Sequence, residues 1–165
     1  MVARNVLEGG QPAAPSVADA GVRIRPMTIR DLDAVLVIER ASFSQPWSRD
    51  MFWVEVSENP CSRFFVAETA GGVVGYVGGW VVVDEMQVIS LAVRPDARRR
   101  GLASRLLERL FTSAGEGLAR ASLEVRRSNQ AAIAMYGRFG FREAGVRIGY
   151  YDDPREDALL MEWVR

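Results

Sequence analysis

Residues 87–110 read QVISLAVRPDARRRGLASRLLERL, and the place where this stretch changes period decides the fold. Gln87 to Val93 is a short β-rich run stopped by Pro95, whereas from Gly101 onward Leu102, Leu106, Leu107 and Leu110 recur on one face of a helix. A strand therefore runs through a glycine-containing turn straight into a helix that must pack on a sheet. The first-turn N–H groups of such a helix have no partner within it, and its dipole favours an anion. Gly101 lets a ligand approach the backbone, Ala103 adds little bulk, and Arg98, Arg99 and Arg100 bring charge. The turn suits a pyrophosphate; a solvated basic loop capping an ordinary helix is the competing reading.

Upstream, VRIRPM from Val22 alternates as a strand, and Thr28 stands as an N-cap before a helical pattern that runs to Phe43. A second short helix is expected to start at Ser48. Two β-rich runs, RFFVAET and VVGYVGGWVVV, flank Ala70-Gly71-Gly72, a hairpin signal. Downstream, residues 122–126 (SLEVR) alternate as a strand, and the next helix is marked by Ser128 and Asn129 at its start and Gly140 at its end. Two further strands, FREAGVRIGYY and DALLMEWVR, are joined by a polar DDPRE turn. The order β-α-α-β-β-β-α-β-α-β-β predicts a mixed α/β fold with a mostly antiparallel sheet in one domain over residues 22–165. Residues 1–21 lack periodicity and the basic flank plus apolar core of a signal peptide, and are expected to form a mobile tail.

Composition removes much chemistry. All 21 basic residues are arginine, with no histidine and no lysine, so imidazole-based triads, Schiff bases and lysine phosphate clamps are excluded. A general base has to be a carboxylate. One cysteine, Cys61, makes neither an internal disulfide nor a zinc cluster, and no apolar run reaches membrane-span length. This fits a reducing cytosol, with no metal. Zero net charge argues against nucleic acid as the main partner, although arginines cluster at 98–100 and 126–127.

The R-x-x-G-x-A of residues 98–103 at a strand-to-helix junction resembles the acetyl-CoA signature of the GCN5-related N-acetyltransferases, and the element order is similar to that family's. The resemblance spans residues 22–164. Together with LEVRRSNQAAIAMYGRFGF and GYYDDPREDALLM, it narrows to the bacterial branch that acetylates the N-terminal alanine of a small-subunit ribosomal protein. The resemblance implies acetyl-CoA as cosubstrate and a sheet splayed at its centre, flanked by about four helices.

By the same resemblance Glu124 is the general base and Tyr136 the acid, and Asn129, seven residues before Tyr136, is a cofactor-binding amide. The strand Leu91, Ala92, Val93 would hydrogen-bond the pantetheine arm, and residues Arg98 to Ser104, Leu102 included, would hold the pyrophosphate. Taken singly, Glu124 reads equally well as a charge on a solvated sheet face and Tyr136 as a core aromatic. Phe43, Trp47, Tyr150 and Tyr151 are candidates for gripping a peptide, or form an ordinary aromatic rim. An α-amine of pKa about 7.7–8.0 is easier to deprotonate than a lysine at about 10.4, a gap of roughly 3–4 kcal/mol, which favours an N-terminus as substrate. A small-molecule amine acetyltransferase and a non-catalytic acyl-CoA-binding module are the alternatives.

Overall fold

The computed structural model describes residues 4–6 and 21–165. Its elements are β1 (Arg4–Val6), β2 (Arg23–Pro26), α1 (Leu32–Ser42), α2 (Arg49–Ser57), β3 (Ser62–Thr69), β4 (Gly72–Val82), β5 (Glu85–Val93), α3 (Leu102–Ala114), β6 (Arg120–Arg126), α4 (Gln130–Arg138), β7 (Arg142–Asp152) and β8 (Arg155–Val164). From β2 onward this is the order predicted from the sequence. The rest of the expected tail lies outside the described residues, apart from β1 and Gly21.

The strands form one sheet in the order β2-β3-β4-β5-β6-β8-β7. Every neighbouring pair on this path is antiparallel except β5 and β6, which run parallel. That parallel pairing covers only Glu85–Gln87 against Arg120–Ser122. Beyond Gln87 the two strands part, which is the central splay expected from the resemblance. Along the opened edge, β1 pairs in parallel with Ser90, Leu91 and Ala92 of β5.

Each face of the sheet carries its own core. On one side α3 and α4 cover it: Leu102, Leu106, Leu107 and Leu110 are all buried, with Ala132, Met135 and Tyr136 of α4 beside Leu123 and Val125 of β6. Each fully buried leucine contributes about 1.5–3 kcal/mol of hydrophobic stabilisation. On the other side α1 and α2 enclose Leu32, Val35, Ile38, Phe52, Phe64 and Tyr76. Phe64 lies directly against Gly78, where a Cβ would come within 2.0 Å of its ring, and the β4–β5 register shifts between Gly78 and Gly79. Glycine there lets the aromatic ring cross the strand, at the cost of a bulge.

Local signals set the helix ends. Thr28 begins a capping box, donating its N–H to Asp31, but the first turn, Ile29–Asp31, is 3-10 and the α-helix begins at Leu32. Asp31 also takes two 2.8 Å bonds from Arg25, and this holds its carboxyl below the usual range. Ser48 caps α2 through the N–H of Met51.

Candidate active site

Glu124 stands on β6, beyond the three residues that pair with β5. Leu123 and Val125 face the α3/α4 core, so by alternation Glu124 between them points to the opposite face, yet it is only 2% exposed. Arg147 of β7 reaches it with a guanidinium nitrogen 3.3 Å from Oε1. Tyr136 comes from α4 on the other side of the sheet. Its side chain is fully buried, and its hydroxyl has no hydrogen-bond partner among the described residues. Burial, then the nearby Tyr151, pushes that phenol well above its ordinary pKa, so it stays protonated at any working pH.

Tyr150 and Tyr151 close the group. Their rings meet edge to face at 5.2 Å, with the Arg126 guanidinium 4.2 Å from the centre of Tyr151 and that of Arg147 5.5 Å from the centre of Tyr150. Tyr151 is buried, and its phenol is raised by desolvation first and by Tyr150 next; Glu124 and Glu156 also raise it, against Arg126. The pair is aimed by an irregularity in β7, whose register against β8 shifts between Arg147 and Tyr151. Gly149 sits in this bulge at φ +63°, its N–H donating to Asp157 at 2.8 Å. Arg126 fixes the following turn by donating to the carbonyls of Asp153 (2.7 Å) and Pro154 (3.0 Å) and pairing with Glu156.

The turn before α3 has the geometry of an anion cradle. Arg99 (φ +61°) and Gly101 (φ +74°) are both left-handed, and Gly101 is the N-cap. A Cβ added at Gly101 would meet nothing within 4 Å, so the protein itself leaves room there. Of the three arginines, Arg99 and Arg100 are exposed. Arg98 is turned inward, donating to the Val93 carbonyl at 2.9 Å and to Ser42 at 3.4 Å, so its guanidinium ties the cradle to the end of β5. Leu91, Ala92 and Val93 bury their side chains in the two cores, and what they present along the splay is backbone. Asn129 caps α4 by accepting the N–H of Ala132 at 3.1 Å.

Two of the peptide-gripping candidates change character. Trp47 is 5% exposed, and its ring lies in the α1/α2 core at 5.1 Å from Phe52 and 6.4 Å from Phe64. Its indole supports the loop between α1 and α2, so it is a scaffold residue and no surface clamp. Phe43 is half-buried against the same core. The loop reaches the β7–β8 turn through Ser44, which donates to the Asp153 carbonyl.

Sequence reasoning passed over two residues. Glu39 is fully buried in α1; it accepts the Trp47 N–H at 2.9 Å and the Tyr76 hydroxyl, which is 2.9 Å from Ser90 of β5. Its signal was available, since Leu32, Val35, Leu36 and Glu39 follow the spacing of a buried stripe. Arg147 carried no such signal. Among the described residues no group of His, Cys, Asp and Glu could hold a metal, and no helix is long and apolar enough to cross a membrane.

The acetyltransferase (GNAT) family model matches residues 32–141. A putative [ribosomal protein bS18]-alanine N-acetyltransferase of Bacillus subtilis (strain 168) is 42% identical over 146 residues, covering 86% of this chain and 93% of the relative. The [ribosomal protein bS18]-alanine N-acetyltransferase of Escherichia coli (strain K12) is 40% identical over 136 residues, 79% of this chain and 89% of its own. The crystal structure of the ribosomal-protein-S18-alanine N-acetyltransferase from Escherichia coli superposes with a TM-score of 0.79 at 36% identity, over 87% of this chain and 93% of that one.

Proposed function

Because the chain belongs to the acetyltransferase (GNAT) family, we propose that it moves the acetyl group of acetyl-CoA to a protein's N-terminal α-amine, an N-terminal alanine of a small-subunit ribosomal protein being the first candidate. The observation that carries the chemistry is a buried carboxylate, Glu124, and a buried hydroxyl without a hydrogen-bond partner among the described residues, Tyr136, each in electrostatic reach of Tyr151. The choice of an N-terminal alanine is supported by the two relatives named for that activity, which match nearly the whole of their own length. With a ribosomal substrate, the compartment proposed for the reaction is the cytoplasm.

The residues present fit the cosubstrate. The left-handed Arg99 and Gly101 and the first-turn amides of Leu102, Ala103 and Ser104 suit a pyrophosphate. The opened edge of β5 at Ser90–Ala92 suits the amides of a pantetheine arm, and that it accepts a hydrogen-bonded guest is seen from β1 lying there. The arm and β1 need the same backbone groups, so loading displaces Arg4–Val6. When bound, acetyl-CoA supplies an acyl group activated as a thioester.

The chain's own groups do the rest. Glu124 takes a proton from the substrate ammonium, leaving a neutral amine nucleophile. Tyr136 donates its hydroxyl hydrogen bond to the sulfur on which negative charge grows. With its pKa above that of a thiol, the phenol stabilises the leaving thiolate as a donor rather than by giving its proton up completely. Amine and cosubstrate approach from opposite faces and meet in the gap between β5 and β6.

Incubation with acetyl-CoA and peptides beginning Ala, Ser, Met or Gly, beside free lysine and polyamines, tests the reading. Transfer to the α-amine of the alanyl peptide is expected; transfer to polyamines alone would give the place to small-molecule acetylation. The cradle has its own test. Asparagine tolerates the left-handed region, so Gly101→Asn should keep the wild-type melting temperature while coenzyme A affinity falls about tenfold. Unchanged affinity by calorimetry would remove the pyrophosphate from this turn.

A further inference from the structure

The ion pair between Glu124 and Arg147 is lopsided. The Glu124 side chain is 3% exposed, and that of Arg147 is 55% exposed. A buried carboxylate deprived of its cation is costly, whereas a solvated guanidinium loses little by leaving. Arg147 comes in from solvent, past the ring of Tyr150, and its β7 backbone lies at the edge of the bulge, where pairing with β8 is interrupted. A cation that can leave therefore occupies the approach to a carboxylate that cannot.

We propose that Arg147 is a displaceable counter-ion: its guanidinium holds the place at Glu124 that the α-ammonium of an incoming chain N-terminus takes over. The inference rests on the N-terminal acetyltransferase reading and deepens it, by naming a residue that positions the base and selects for a cationic substrate end. At rest Arg147 pairs with Glu124 at 3.3 Å. On binding, the ammonium replaces the guanidinium, which swings into solvent. One N–H bond then breaks, its electron pair stays on nitrogen, and the proton forms an O–H bond on Glu124, so a charged pair becomes a neutral amine and a neutral acid. After product leaves, Glu124 releases the proton to water and Arg147 returns. A neutral substrate end has no means of evicting the arginine, and this makes the pair a filter as well as a plug.

The test crosses the arginine with the ammonium. Wild type, Arg147→Met and Arg147→Lys are titrated by calorimetry at pH 7, with coenzyme A present so that no transfer occurs. The ligands are an alanyl hexapeptide and its propanoyl counterpart, which lacks only the amine. Arg147→Met, which keeps side-chain length without charge, is expected to bind the alanyl peptide about three- to tenfold more tightly than wild type and the propanoyl peptide equally well. Arg147→Lys should return the alanyl affinity toward the wild-type value. A purely structural arginine predicts a lower melting temperature and the same change for both peptides. Equal or weaker alanyl binding in Arg147→Met, with transfer by the wild type intact, overturns the inference alone. Absence of transfer to the alanyl peptide by the wild type overturns the reading beneath it and the inference with it.

Discussion

Glu124→Gln is expected to cut turnover by about 10²–10⁴-fold, with coenzyme A affinity and melting temperature close to wild type. Glutamine matches the shape of the side chain and cannot accept a proton. The structure also says why the fold should tolerate the change. Arg147, the cation seen paired with Glu124, is already more than half in solvent and loses little with its carboxylate. Single-turnover acetylation of an alanyl peptide, measured beside a thermal melt and a coenzyme A titration on one preparation, separates chemistry from folding. A variant that keeps wild-type turnover would show that another group, or bulk water, removes the proton.

Tyr136→Phe should move activity and stability in opposite directions. The hydroxyl lies fully buried without a hydrogen-bond partner among the described residues, an arrangement that costs folding free energy. The ring, by contrast, is well used, meeting Phe141 edge to face at 5.6 Å within the α3/α4 core. Phenylalanine keeps that packing and deletes the oxygen, so the unfolding free energy should stay level or rise by about 1 kcal/mol, and the melting temperature with it. Turnover should drop by about 10²-fold, the loss typical of one donor to developing charge. A core tyrosine with no other duty would give the same gain in stability with activity untouched. Finding a stable and fully active variant would remove Tyr136 from the mechanism.

The parts of this molecule legible in its sequence are those governed by local periodicity. The leucine stripe of α3, the Ser48 cap and the glycine turn between β3 and β4 all appear where their patterns put them. Glu124 and Tyr136 could be named from their motif, but their burial could not, since either would satisfy its own strand or helix equally well at a surface. What stayed hidden depends on where strands stop pairing. The β7 register shift breaks the alternation from which the directions of Arg147, Tyr150 and Tyr151 would be read. Trp47 could be read as a peptide clamp or as part of an aromatic rim, because nothing local announces that Phe52 and Phe64 will surround it. Arg98 could be placed in the turn from its motif, but its bond to the Val93 carbonyl could not, because that bond forms only once the turn has closed.

The strand Arg4–Val6 has a consequence for how such enzymes diverge. Its ladder to β5 is made of main-chain groups, and main-chain groups are the same for nearly every residue, so the pairing places little demand on which side chains stand at positions 4 to 6. Proline, which lacks the donor, is barred from a position whose N–H is used.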